Sequence, residues 1–138
     1  NGTKFSGVRL SVGNPHFVVF ANSEREAKNN ALKYGSAIEN HEKFKPDRTN
    51  VEFVFVKGKT DIVLNVWERG AGLTLSSGTG SCAGAFTSFK ETKVKNKVNV
   101  NLPGGKLIIE IKDDDDILMT GPAEYIFTGV IDLDKLLK

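Results

Sequence analysis

The chain has 138 residues, 39% hydrophobic and 26% charged, with 19 Lys and Arg against 17 Asp and Glu for a net charge of +2. That length carries one hydrophobic core, and interspersed charge of so small a sum leaves no electrostatic footprint for nucleic acid. One cysteine excludes an internal disulfide, two histidines offer no zinc-ligand spacing, and no apolar run approaches the ~20 residues of a membrane-crossing helix.

A soluble cytoplasmic protein is the default expectation. No signal-peptide pattern opens the chain, and because it begins at Asn1 rather than Met, that start need not be the natural one.

Residues 6–12 and 16–21 are rich in β-branched and aromatic side chains and are expected as strands around a turn at Gly13, Asn14 and Pro15. Ser23 with Glu26 forms a capping box, and Ala27, Ala31, Tyr34 and Ile38 then share one face, predicting a helix over 24–38. After turn chemistry over 40–50, residues 51–56 and 62–67 read as strands, the second running into a glycine-rich loop. Beyond that loop Cys82, Ala85, Phe86 and Phe89 recur at helical spacing, predicting a buried helix whose apolar stripe carries the phenylalanines. Strands over 97–102, 106–112 and 124–131, with an acidic turn before the last, complete the chain. Strands outnumber helices without alternating with them, which favours an α+β fold over a doubly wound parallel sheet.

The loop poses the chemical question. Residues 68–84, ERGAGLTLSSGTGSCAG, hold five glycines, five hydroxyl side chains and the only thiol. Glycine lets backbone amides approach a ligand closely, and a helix starting there aims free N–H groups at it, so the expected visitor is an anion, carboxylate or phosphate. Gly78 to Ala83 matches the dinucleotide fingerprint G-x-G-x-x-A, but the loop does not follow its strand tightly and the next strand, KVNVNL, lacks the ribose-binding acid.

Cys82 sits on the apolar stripe and reads as a structural thiol. Ser77 immediately precedes the helix, where a cap and a functional role fit equally. Glu68 and Arg69 read either as an exposed ion pair or as a fork for a carboxylate, and a histidine beside a strand, such as His16, is ordinarily a packing residue. The acids Asp113 to Asp116 lack calcium-loop spacing, so no metal is expected. The lysines over 90–97 read as a solvated face.

Five segments taken together, GNPHFVVF (13–20), RTNVEFV (48–54), ERGAG (68–72), SSGTGSCAGAF (76–86) and TGPAEYIFTGVI (120–131), resemble the C-terminal half of the diaminopimelate epimerase family. The resemblance spans nearly the whole chain and implies a curved, mainly antiparallel, barrel-like sheet wrapped round a central helix. It implies that residues 1–138 are the C-terminal domain of a two-domain protein, the N-terminal domain being absent from this chain and the active site lying in the cleft between them.

The implied reaction is cofactor-independent epimerisation of LL- and meso-diaminopimelate in lysine biosynthesis, with one cysteine of each half on either side of the α-carbon. By the same resemblance Gly78 and Thr79 hold the carboxylate of the reacting centre. Asn14, Asn50 and Arg69 hold the distal end, Glu68 lies near the ammonium groups, and His16 takes a catalytic place beside the reacting centre. Ser77 stands where the family has its catalytic cysteine, and an unassisted hydroxyl is a poor base toward a C–H bond. Cys82, inside the helix, does not replace it.

The implied partners are an amino acid substrate and the N-terminal half, with neither nucleic acid nor membrane; a homodimer is compatible with the resemblance. The isolated half is expected to be inactive. The alternatives are a non-catalytic amino-acid or anion-binding module of the same fold, and a related isomerase or dehydratase using Ser77 only as a proton donor.

Overall fold

Alternation along three adjacent strands sets the architecture. The computed structural model describes residues 2–136. Its strands β2 (Pro15–Phe20), β3 (Asn50–Gly58) and β4 (Asp61–Glu68) lie side by side, β2 and β3 parallel, β3 and β4 antiparallel. Odd positions Phe17, Val19, Val51 and Phe53 face helix α1 (Glu24–Glu39), packing on Ala27, Ala31 and Ile38. Even positions Val18, Val54, Leu64 and Val66 face helix α2 (Gly78–Lys90), packing on Ala83 and Ala85. With a helix on each face, both sets of side chains leave water, and this doubly covered strip forms the centre of the core.

The sheet extends from this centre in both directions. β1 (Val8–Ser11) pairs with β2, while β6 (Lys97–Leu102), β7 (Gly105–Ile111) and β8 (Ile117–Thr120) continue beyond β4. β6 runs parallel to β4, and the short β5 (Gly72–Thr74) pairs with the other end of β4. Among the described residues, five of the seven strand pairs are antiparallel. The curl is read from α2, which touches β1, β2, β3, β4, β6, β7 and β8, as a helix does inside a half-barrel. α1 lies outside, on β3, β4 and β5. A short helix α3 (Leu133–Leu136) ends the described residues, among which no helix is long and apolar enough to cross a membrane.

Two expectations need correction. The helix stripe of Cys82, Phe86 and Phe89 is only half-buried; the deepest positions are Gly80, Ser81, Ala83, Gly84, Ala85, Thr87 and Ser88. A helix enclosed by a curled sheet has neighbours on several sides, and only small residues allow that approach. A Cβ on Gly84 would stand 2.5 Å from Leu64 Cδ1.

The last strand is also displaced. Asp113–Asp116 turn the chain so tightly, with Lys112 and Asp116 joined by a backbone bond of 2.9 Å, that Ile117–Thr120 fall directly opposite Ile108–Ile111. The expected strand over 124–131 carries no strand pairing, and Tyr125, Ile126 and Phe127 are exposed.

Candidate functional site at the start of the enclosed helix

The same alternation that buries Val18 and Val54 brings His16, Asn50, Glu52 and Glu68 to the α2 face. They occupy neighbouring strands, with His16 level with Asn50 in the parallel register and Val51 level with Trp67 in the antiparallel one. These polar ends of strands lie beneath the first turn of α2: a Cβ on Gly80 would stand 3.1 Å from Glu52 Oε1 and 3.0 Å from Ser77 Oγ.

Ser77 caps α2 from an extended backbone, its hydroxyl accepting the Gly80 N–H at 3.2 Å and donating to Glu68 Oε2 at 2.9 Å. The other oxygen, Oε1, accepts the Thr74 hydroxyl at 2.6 Å. Glu68 therefore belongs to a network with two hydroxyls, not to an ion pair with Arg69. The Ser81 N–H is bonded to the Ser77 carbonyl, whereas Gly78 and Thr79 N–H have no acceptor among the described residues. These two donors lie at the positive pole of the helix, Gly78 half-buried and Thr79 exposed. Met119 of β8 lies over this turn, its methyl 3.3 Å from where a Cβ of Gly78 would be; nothing in the spacing of the sequence pointed to it.

The turn before β2 needs Gly13, whose φ of +99° is costly for any other residue, and it sets Asn14 against the helix. Asn14 Nδ2 lies 3.4 Å from Thr79 Oγ1, and its Oδ1 is 2.9 Å from His16 Nε2. His16 Nδ1 is 2.7 Å from Glu52 Oε1, so both ring nitrogens are engaged and the ring is buried. Burial raises the Glu52 carboxyl to about 7, opposed by the hydrogen bond with His16. Asn50 ties two loops together: its amide donates to Pro15 O at 3.0 Å and its oxygen accepts the Arg69 N–H at 2.8 Å. Arg69 donates one guanidinium N–H to Asp47 O at 2.7 Å and is otherwise exposed.

Behind this turn lies a residue that the sequence reading passed over. Buried Glu39, at the last position of α1, accepts from Trp67 Nε1 at 2.7 Å, Arg48 Nη1 at 2.8 Å and the Gly70 N–H at 2.9 Å. An acid at the negative end of a helix with no basic residue in its last turn is electrostatically misplaced. That anomaly was the available signal.

The Cys82 thiol is pushed up by burial and stays protonated. No group of three or more metal-ligating side chains occurs among the described residues. A shallow surface hollow lined by Phe89, Lys90, Asn96 and Lys112 lies at the opposite end of α2, away from these groups.

The family model for diaminopimelate epimerase matches residues 8–126. The chain is 43% identical over 136 residues to the diaminopimelate epimerase of Desulfitobacterium hafniense, covering 99% of this chain and 47% of that protein. It is equally identical to that of Halothermothrix orenii, over 88% of this chain and 42% of the relative, and so spans about half the length of the curated relatives it matches. Among solved structures, a phenazine biosynthesis PhzF-family protein of Enterococcus faecalis superposes with a TM-score of 0.54 at 20% identity, covering 73% of this chain and 35% of its own. The corresponding Bacillus anthracis protein gives 0.52 at 17% identity, over 83% and 38%; both likenesses concern the fold. A sheet curled round a glycine-started helix, a match over most of the chain and relatives at 43% identity lead to one statement: the chain belongs to the diaminopimelate epimerase family.

Proposed function

We propose that this chain is the C-terminal half of a cofactor-independent amino acid epimerase that interconverts LL- and meso-diaminopimelate. It supplies the carboxylate-binding pole, the distal contacts and one of two proton-transfer positions. The observation that carries this reading is the start of α2: a hydroxyl hydrogen-bonded to a carboxylate at 2.9 Å beside two N–H groups with no acceptor among the described residues.

A substrate carboxylate bound to Gly78 and Thr79 N–H brings its α-carbon to Ser77. Removing the α-proton pushes charge onto that carboxylate, and preorganised amides at a helix pole stabilise it as it develops. Arg69, exposed beyond its one bond to Asp47, and Asn14 take the distal amino acid end. Asn50 sets the spacing between their loops, and His16 acts through Asn14.

The second proton-transfer group comes from a second lobe, and this half alone does not epimerise. Two observations support that reading. The relatives are about twice as long, the chain covering 47% of the first, and Tyr125, Ile126, Phe127, Val130 and Ile131 are exposed together, apolar surface that ordinarily marks a contact.

Ser77 limits the chemistry. A thiol at this pole would titrate near 8.5 or below, while a hydroxyl keeps its proton and makes a slow base. In deuterated water with diaminopimelate, the full-length protein carrying Ser77→Cys is expected to incorporate α-deuterium roughly 10²–10⁴-fold faster than the native form. Equal rates would overturn the role given to this position. A binding module without catalysis is the second reading, favoured by the Ser77–Gly80 bond, which is an ordinary helix cap. It prevails if neither form exchanges while both bind diaminopimelate.

A further inference from the structure

Glu52 is the one fully buried carboxyl in a stretch of β3 that is otherwise apolar, and it is bonded on one side only. Oε1 lies 2.7 Å from His16 Nδ1, while Oε2 is buried without any hydrogen-bond partner among the described residues. The protons of this chain of contacts can be counted. The Asn14 amide turns its nitrogen toward Thr79 Oγ1 and its oxygen toward His16 Nε2. An amide oxygen only accepts, so Nε2 carries a hydrogen. The Nδ1–Oε1 contact then holds one further proton.

If that proton rode on the ring, Oε2 would be part of an anion buried without a donor, the costliest kind of orphan. If it rides on the carboxyl, Oε2 is a neutral carbonyl oxygen, far cheaper to leave unpaired. The bare oxygen therefore favours the neutral arrangement, a carboxylic acid donating to a neutral imidazole, and the direction in which burial moves Glu52 agrees.

We propose that Glu52 is a positioning residue that, through the single proton it shares with His16, sets which end of the Asn14 amide is turned toward Thr79 at the start of α2. When the shared proton leaves, the carboxylate requires a donor. The ring then carries its remaining hydrogen on Nδ1, and Nε2 becomes an acceptor. Asn14 must rotate to offer its NH2 to the ring, which turns its oxygen toward Thr79, whose hydroxyl now donates. One proton is lost to solvent and the net charge falls by one.

The groups facing Glu52 are few. β2 brings His16, β4 brings the Glu68 carboxylate, which disfavours a second negative charge, and the first turn of α2 brings no ionisable side chain. α1 packs on the opposite face of the sheet. The consequence for turnover rests on the epimerase reading above; the proton arrangement itself does not.

The test follows the ring nitrogens of His16 by ¹⁵N magnetic resonance in the full-length protein from about pH 5 to about pH 8. The native protein is expected to show hydrogen on Nε2 at low pH, passing to Nδ1 as pH rises through about 7. Glu52→Gln, whose amide donates to Nδ1 permanently, is expected to keep hydrogen on Nε2 throughout. Glu52→Leu is expected to leave a ring with mixed tautomers. In parallel, KM for diaminopimelate is expected to change across the transition in the native protein and to stay level in Glu52→Gln, with kcat little affected.

A native ring that carries hydrogen on Nδ1 at every pH, or shows no transition, overturns the proposal without recourse to any variant. KM profiles that coincide in native and Gln forms overturn it as well. Failure of every form to exchange α-deuterium would sink the epimerase reading, and the ring signals would still decide this one.

Discussion

Two buried glutamates sit within reach of the same loops and live opposite lives. Glu39 spends both carboxyl oxygens on three donors, one of them the exposed Arg48 guanidinium, and fixes where the strand end at Trp67 and the turn at Gly70 sit. Glu52 has one partner, another titratable ring, and an oxygen with none. A carboxylate saturated with donors is a fastener, because every proton around it has only one place to be. A carboxyl left short of donors beside an imidazole holds its proton to higher pH than usual, and it can respond to pH.

Substitution should separate the two roles most strongly at Glu39. Glu39→Ala removes the acceptor of the half-buried Trp67 indole N–H and of the Gly70 and Arg48 donors, three charge-assisted hydrogen bonds in all, and a loss of about 3–5 kcal/mol is expected in urea unfolding. The turn that carries Arg69 should loosen with it. If the loss stays under about 1 kcal/mol, the two glutamates are not opposites.

The next effect is one of pH. Glu52 moves from the usual 4.5 to about 7 in the folded chain. Because the folded value is the higher, the folded state binds this proton more tightly. Stability from the group is full below about 4.5 and is lost as pH rises to about 7. At about 1.4 kcal/mol per unit the loss is on the order of 3 kcal/mol. Urea midpoints of the native protein should therefore fall over that window, while Glu52→Gln, which has no proton to lose, should lack this part of the fall. Parallel curves for the two proteins would contradict the assignment.

Much of the frame was legible in the residues. Ser23 and Glu26 announced the helix, and Ser23 Oγ does accept the Glu26 N–H at 3.1 Å. The strands over 51–56 and 62–67 were plain from their β-branched runs, since both are covered on two faces. The glycine-rich loop did end in a helix.

Three things were not legible, for physical reasons. β5 spans only Gly72–Thr74, too short for alternation to register. The buried face of α2 is made of Gly80, Ala83, Gly84 and Thr87, which hydropathy ranks below the phenylalanines beside them; enclosure by a curled sheet selects for size. The segment over 124–131 has the composition of a strand yet pairs with neither edge strand of the sheet, β1 or β8, among the described residues, a fact about its surroundings that local sequence does not hold.

The residues of the site were distributed in the same manner. Ser77, Gly78 and Thr79 came from cap and helix-pole chemistry and Asn14 from the family resemblance, and all four are brought together at one end of α2. Glu39 and Glu52 matter through contacts made across 31 and 36 residues of chain, and only the helix-end anomaly of one and the apolar neighbours of the other hinted at them.

The central claim is that the pole of α2 receives the carboxylate of an amino acid. It is tested most directly by titrating ¹⁵N-labelled full-length protein with diaminopimelate and following the backbone amides. The account predicts that Gly78 and Thr79 move furthest and saturate together, with Arg69 side-chain signals moving alongside. Saturable binding that leaves the Gly78 and Thr79 amides in place, or no binding at all, would contradict it.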